Sequence, residues 1–208
     1  MTNSTETVTS TIFDASVLEQ QLQREDALLR GHFRLSSGLH SDTYVQCARY
    51  LRRPELAAPA AAALAAQIQA AGLRPDIVVG PAMGGVVIGY ELARQLGVPG
   101  IFTERDADGQ MTLRRGFSIE PGEKVIIAED VVTTGKSTLE VAKVLRSMGA
   151  EVLAVASLID RTGGNGGLDF PHFALLPVVA ATFAPESCPL CAAGVPVVKP
   201  GSRPEKAF

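Results

Sequence analysis

Residues 125–138, VIIAEDVVTTGKST, concentrate the chemistry of this 208-residue sequence. An apolar run ends in two adjacent carboxylates, Glu129 and Asp130. Val131 and Val132 carry it into Thr133, Thr134, Gly135, Lys136, Ser137 and Thr138. Read as a strand, a hydroxyl-rich turn and the start of a helix, the segment puts both acids at a strand's carboxyl end, where open α/β sheets bind ligands. Free backbone N–H groups and the helix dipole make the turn an anion pocket, and Gly135 lets the backbone approach a phosphate. GKS invites comparison with the nucleotide-binding P-loop, but GxxxxGK[ST] needs glycine at position 130, where Asp130 stands. A carboxylate in that cradle would repel a nucleoside triphosphate. A sugar phosphate fits better, its hydroxyls donating to the acids while its phosphate takes the amides. The plain structural alternative is a strand end with two solvated acids and a helix N-cap.

A parallel sheet would position these groups. DIVVG (76–80) reads as a strand, GPAMGG as a loop, VVIGYELARQLG as a helix ended by Gly97, and GIFTE (100–104) as a second strand. KVIIAED (124–130) is a third strand, leading into the helix KSTLEVAKVLRSMG, and EVLAVASLID (151–160) is a fourth. Strands alternating with helices imply right-handed crossovers. Upstream, Ser16 and Glu19 suggest a capping box for a helix running to about Arg30, GHFRLSSGLHSDTYV reads as a hairpin, and Pro54 opens an Ala-rich helix closed by Gly72 and Pro75. The connector RDADGQMTLRRGFSIEPGE is long for a compact domain, a length typical of functional lids.

Composition narrows the classes. The chain is 46% hydrophobic and 20% charged, with a mean hydropathy of +0.18, which excludes disordered and fibrous classes. No tryptophan and 5% aromatics make a poor nucleic-acid stacking platform. A net charge of −3 argues against electrostatic capture of nucleic acid or membrane, though a few local cations can still hold an anionic ligand. MTNSTETVTST lacks the features of a secretory signal, and prolines interrupt the apolar stretch 173–198, so no membrane span and a cytoplasmic location are expected. Cys47, Cys188 and Cys191 are too few for a disulfide scaffold. CPLC (188–191) is half of a zinc site, with Cys47, His32, His40 and His172 as candidate further ligands; ordinary turn cysteines are the other reading, and no protein metal site is assigned.

EDVVTTGKST resembles the ribose-5-phosphate motif of the type I phosphoribosyltransferases. GHFRLSSGLHSDTYV is similar to the N-terminal hood of the family's orotate branch, VGPAMGGVVIG to its pyrophosphate loop, and LIDRTGG (158–164) to its Asp-Arg element. The resemblance implies an α/β fold with a central parallel sheet flanked by helices, a small hood and a flexible lid hairpin. The expected boundaries are a flexible leader over 1–15, one domain over 16–185 with the hood at about 16–50 and the lid at about 105–118, and a Pro-rich tail over 186–208. It also implies transfer of the phosphoribosyl group from phosphoribosyl pyrophosphate to orotate, in pyrimidine synthesis. A purine acceptor, or a phosphoribosyl pyrophosphate-sensing regulator, are the alternatives.

By that resemblance Glu129 and Asp130 hold the ribose hydroxyls, Val131 to Ser137 form the phosphate loop with Thr138 at its end, Gly84 approaches pyrophosphate, and Thr133 and Arg161 contact orotate. A guanidinium that binds a carboxylate bidentately is the right partner for orotate; a surface ion pair with Asp160 is the alternative for Arg161. Ser36 and Gly84 stand where well-known members place lysines, and Glu104 and Arg105 where they place an Arg-Lys pair. Arg105, Arg114 and Arg115 would then neutralise pyrophosphate, Arg105 taking a catalytic part; exposed arginines on a solvated hairpin are the other reading for Arg114 and Arg115. The family's lid reaches a neighbouring subunit's site, implying a homodimer, and Mg2+ is expected to arrive bound to substrate.

Overall fold

Helix α1, Ala15–Arg24, is capped by Asp14, whose carboxylate accepts from the Ser16 amide at 2.8 Å. The computed structural model describes residues 13–164 and 166–200, so positions 1–12 of the expected leader and 201–208 of the tail lie outside the described residues. The cap falls two residues before the expected Ser16, and the helix stops at Arg24 rather than near Arg30. Asp26 turns the chain at a φ of 50°, and the following residues are taken by β1, Leu28–Arg34, with Leu28 buried. Antiparallel pairing with β2, His40–Val45, competes with helix extension and wins.

Helices α2 (Cys47–Leu51) and α3 (Pro54–Ala70) follow, α3 starting at the expected proline. Then come β3 (Ile77–Pro81), α4 (Gly84–Leu96), β4 (Gly100–Arg105), β5 (Met111–Leu113), β6 (Lys124–Val132), α5 (Lys136–Ser147), β7 (Glu151–Asp160) and β8 (His172–Pro177). The chain continues through β9 (Thr182–Phe183), a 3-10 turn (Pro185–Ser187) and α6 (Pro189–Ala192). Six strands form the main sheet in the order β5-β4-β3-β6-β7-β8, all pairs parallel except β4 with β5. The expected α/β architecture is present.

Period-two alternation distributes the strand residues between two apolar layers. Val78, Ile126 and Ala128 pack with Leu18, Leu64 and Ile88 of α1, α3 and α4, whereas Val79, Val125 and Ile127 pack with Val141 and Leu145 of α5. The lid expected over about 105–118 starts at the last residue of β4 and holds the hairpin turn and β5, anchored by buried Met111 in the α5 layer.

The hood is a separate sheet, β1-β2-β9, so its third strand comes from beyond residue 180. Val198 extends it at the other edge, accepting from the Arg34 amide at 2.9 Å and donating to the His32 carbonyl at 2.8 Å. The tail thus folds back onto the hood.

Close backbone contact fixes α4 against the sheet. A Cβ at Gly85 would overlap the Ala128 carbonyl, and one at Gly80 would overlap the Gly85 carbonyl. The overlap is with backbone atoms, so Gly85→Ala is expected to cost about 1–3 kcal/mol, read as a lower urea midpoint; an unchanged midpoint would contradict this packing.

Candidate active site

β6 delivers the two acids to adjacent positions on opposite faces of one strand. Glu129 is 7% exposed, and burial together with the neighbouring Asp130 charge pushes its carboxyl up to about 8, partly offset by hydrogen bonding to Thr138. Burial also raises Asp130, against the pull of the Val131 amide, which donates to Asp130 Oδ1 at 2.8 Å. On its own face Asp130 meets the start of α4: a Cβ on Gly84 would overlap the Asp130 carboxylate. A side chain at this position would require the Asp130 carboxylate to shift.

The chain leaves β6 through Thr133 and Thr134 and enters α5 at Lys136, with Gly135 as N-cap at a φ of 73°. A Cβ at Gly135 would crowd the Gly166 carbonyl, so left-handed backbone and close approach both favour glycine there. The first backbone hydrogen bond of the helix runs from the Leu139 amide to the Gly135 carbonyl, 2.9 Å, leaving the preceding amides without helical acceptors. Glu129 and Val131 through Thr138 line one polar pocket. Of the residues expected to hold a sugar phosphate, this pocket gathers all but Asp130, whose carboxylate lies against Gly84 instead.

Arg161 follows β7 next to this pocket, its amide donating to the Val132 carbonyl at 2.8 Å. It does not pair with Asp160 as the alternative had it: Asp160 Oδ1 accepts from the Thr162 amide at 2.7 Å. Arg161 is half-buried, and burial pulls its guanidinium down while the charge of Asp42 acts in the opposite sense. Its Nε is buried and has no hydrogen-bond partner. Asp42, on β2 of the hood, was not singled out in the sequence; only its place in the hood-like segment could have drawn attention to it.

The three other arginines stand differently. Arg105 reaches Glu140 of α5 at 2.5 Å and the Gly109 carbonyl at 2.7 Å. Arg115 forms a two-pronged pair with Glu104, 2.7 and 2.9 Å, and lies 5.5 Å over the Phe102 ring. Arg114 is exposed; its carbonyl accepts from the Phe117 amide at 3.0 Å, and its side chain acts on Glu104 through its charge alone. Lys136, at the start of α5, lies 4.0 Å from Glu140. Lys136 lines the polar pocket, whereas the three arginines sit on the β4–β5 hairpin and the segment just after it, outside the pocket lining.

Comparison with known proteins agrees with this geometry. The family described as the phosphoribosyl transferase domain matches residues 48–177. An orotate phosphoribosyltransferase of Carboxydothermus hydrogenoformans is 55% identical over 177 residues, covering 85% of this chain and 92% of that protein. Another, from Heliobacterium modesticaldum, is 50% identical over 87% of this chain and 94% of its own length. Among solved structures, the orotate phosphoribosyltransferase of Aeropyrum pernix superposes with a TM-score of 0.64 at 29% identity, covering 79% of this chain and 93% of that one. The chain belongs to the phosphoribosyl transferase domain family and, within it, to the orotate phosphoribosyltransferases.

Proposed function

We infer that the chain transfers the 5-phosphoribosyl group of phosphoribosyl pyrophosphate to orotate, giving orotidine 5-phosphate and pyrophosphate in pyrimidine synthesis. The observation that carries this reading is the unpaired, buried Arg161 Nε beside the pocket of Glu129 and Val131–Thr138. A buried guanidinium N–H without an acceptor costs free energy until a ligand supplies one, and orotate brings a carboxylate and carbonyl oxygens.

In the reaction the bond from the anomeric carbon to pyrophosphate oxygen breaks, a bond to an orotate nitrogen forms, and the proton of that nitrogen leaves with pyrophosphate. Glu129 and Asp130 accept from the ribose hydroxyls, and the positive charge of an oxocarbenium-like transition state beside them favours their ionised form. The amides and hydroxyls of Val131 to Thr138 hold the 5-phosphate, and Thr133 and Arg161 orient orotate. The backbone at Gly84 approaches pyrophosphate. Arg105 and Arg115 can add charge there only by leaving Glu140 and Glu104, so Arg114 is the most available cation of the three.

Two buried carboxylates with raised pKa lack counter-charge, which fits a divalent ion carried in on pyrophosphate oxygens. Mg2+ bound there would offset the leaving group's negative charge. We also propose a homodimer: Met83, Val87 and Tyr90, 81%, 49% and 70% exposed, leave a large apolar face on and beside α4. A cytoplasmic location is supported by the three free cysteines. Among the described residues no helix is long and apolar enough to cross a membrane.

Purified protein given phosphoribosyl pyrophosphate, Mg2+ and orotate should consume the ultraviolet absorbance of orotate. Consumption of phosphoribosyl pyrophosphate with a purine base, and none with orotate, would overturn the assignment.

A further inference from the structure

Outside this pocket, four metal-ligating side chains converge between the hood and the tail. His32 lies on β1, His40 opens β2, Cys188 precedes α6 and Cys191 lies within it. Their ligand atoms all fall within 4.8 Å of one another. Sulfur-to-nitrogen distances are 3.5 Å for Cys188 to His32 Nε2, 3.7 Å for Cys191 to His32 Nε2 and 3.3 Å for Cys191 to His40 Nδ1. A tetrahedral zinc centre, with Zn–S near 2.3 Å and Zn–N near 2.0–2.1 Å, has S···N edges of about 3.5 Å. The two imidazole nitrogens are closer, 2.8 Å, than the roughly 3.3 Å of such a centre, so binding would spread them slightly.

The proton on His32 can be placed from its other contact. Its Nδ1 lies 2.7 Å from the Val195 carbonyl oxygen, which can only accept, so Nδ1 carries the hydrogen. In the neutral ring that leaves the Nε2 lone pair facing His40 and both sulfurs. A histidine oriented through its second nitrogen by a backbone carbonyl is the usual arrangement at a metal.

The tail supplies an independent reason for a staple. From Val179 to Pro200 Cys188 is the only buried residue, so this segment contributes almost no apolar core of its own. It nevertheless follows a defined path, held by the Val198 bridge and by the four-residue cluster. Small sheets with little core are commonly held by a metal or disulfides.

We propose that His32, His40, Cys188 and Cys191 bind one zinc ion that fastens the tail to the hood. All four ligand positions are filled by the chain, which makes the site structural rather than catalytic, and two thiolates with two imidazoles select zinc over harder cations. Binding releases two thiol protons, so Zn2+ with two thiolates adds no net charge to a largely buried site. Of the two sequence readings of CPLC, half of a zinc site or ordinary turn cysteines, this proposal takes the first. Of the other ligand candidates, Cys47 instead faces the Asp130 carbonyl and His172 faces Ser157.

The test is metal analysis of the full chain, purified without chelator and dialysed against metal-free buffer. About one zinc per chain is expected, and Co2+ substituted into the chelated protein should give the visible bands of a tetrahedral thiolate site. Cys191→Ser, at the exposed corner, should cut zinc content at least tenfold while circular dichroism stays native; chelated wild type should be cleaved by protease within 184–198 where the zinc form is not. Less than a tenth of an equivalent of zinc in wild type, even after incubation with excess zinc, would overturn the proposal. So would full zinc retention in a Cys188→Ser, Cys191→Ser double variant, or iron with sulfide in its place.

Discussion

Replacing Glu129 with Gln is expected to make the ligand-free protein more stable at alkaline pH while destroying most of its activity. In the folded chain burial and Asp130 hold the Glu129 carboxyl near 8 instead of 4.5. Between those values the folded state binds a proton that the unfolded state has released, so stability falls as pH rises through the window and levels out above it. The span corresponds to at most about 5 kcal/mol. Gln keeps the shape and can still hydrogen-bond, but has no charge to bury, so the decline should flatten; the raised Asp130 leaves a residual slope. Turnover should drop by about two orders of magnitude, as when one preorganised charge is removed from a transition state. Urea melts of both proteins from pH 5 to 9 check the first part. Parallel stability curves would show that no buried charge is involved, and near-normal turnover would remove Glu129 from the ribose site.

Arg161→Ala is expected to raise the KM for orotate by a factor of roughly 30 to 1,000, equivalent to about 2–4 kcal/mol for one partner of a desolvated charged pair. The KM for phosphoribosyl pyrophosphate should move little, because the pocket of Val131–Thr138 does not depend on this side chain for its hydrogen bonds. Arg161→Lys should recover only part of the loss, since a point charge cannot reproduce a planar fork. Stability should change little: no side-chain hydrogen bond is lost at Nε, and the Arg161 amide contact to Val132 remains. Steady-state kinetics varied in each substrate separately, with a thermal melt, distinguish these effects. An unchanged orotate KM would assign the acceptor's anionic group to another residue.

Much of the sheet was legible because its pattern is local. β3, β6 and β7 each carry a short apolar run, and the acids and the Gly135 turn lie within fourteen consecutive positions. What escaped depends on partners far away in sequence. The hood's third strand is two residues long and pairs with β2 across about 140 positions. The neutralised state of Arg115 is set by Glu104 across the hairpin, and that of Arg105 by Glu140 on another element. His32 and His40 are candidate partners of CPLC by residue type alone, with no spacing to choose them over Cys47 and His172. The end of α1 escaped too, where a seven-residue strand pairing outcompeted an apolar pattern that continued past Arg24.

The hood takes strands from both halves of the chain, with Val198 bonded to His32 and Arg34 and β9 bonded to β2. During synthesis the β1–β2 hairpin emerges early yet has neither flanking segment to cover its edges until some 150 residues later. Exposed strand edges recruit other chains, and long-range pairings form slowly. The main sheet, complete once β8 is made, can fold first and present a fixed platform, leaving the hood as the last part to close. A chain interrupted just after Pro177 would therefore keep its phosphate loop but expose two unpaired β edges, a form prone to self-association rather than simple inactivity.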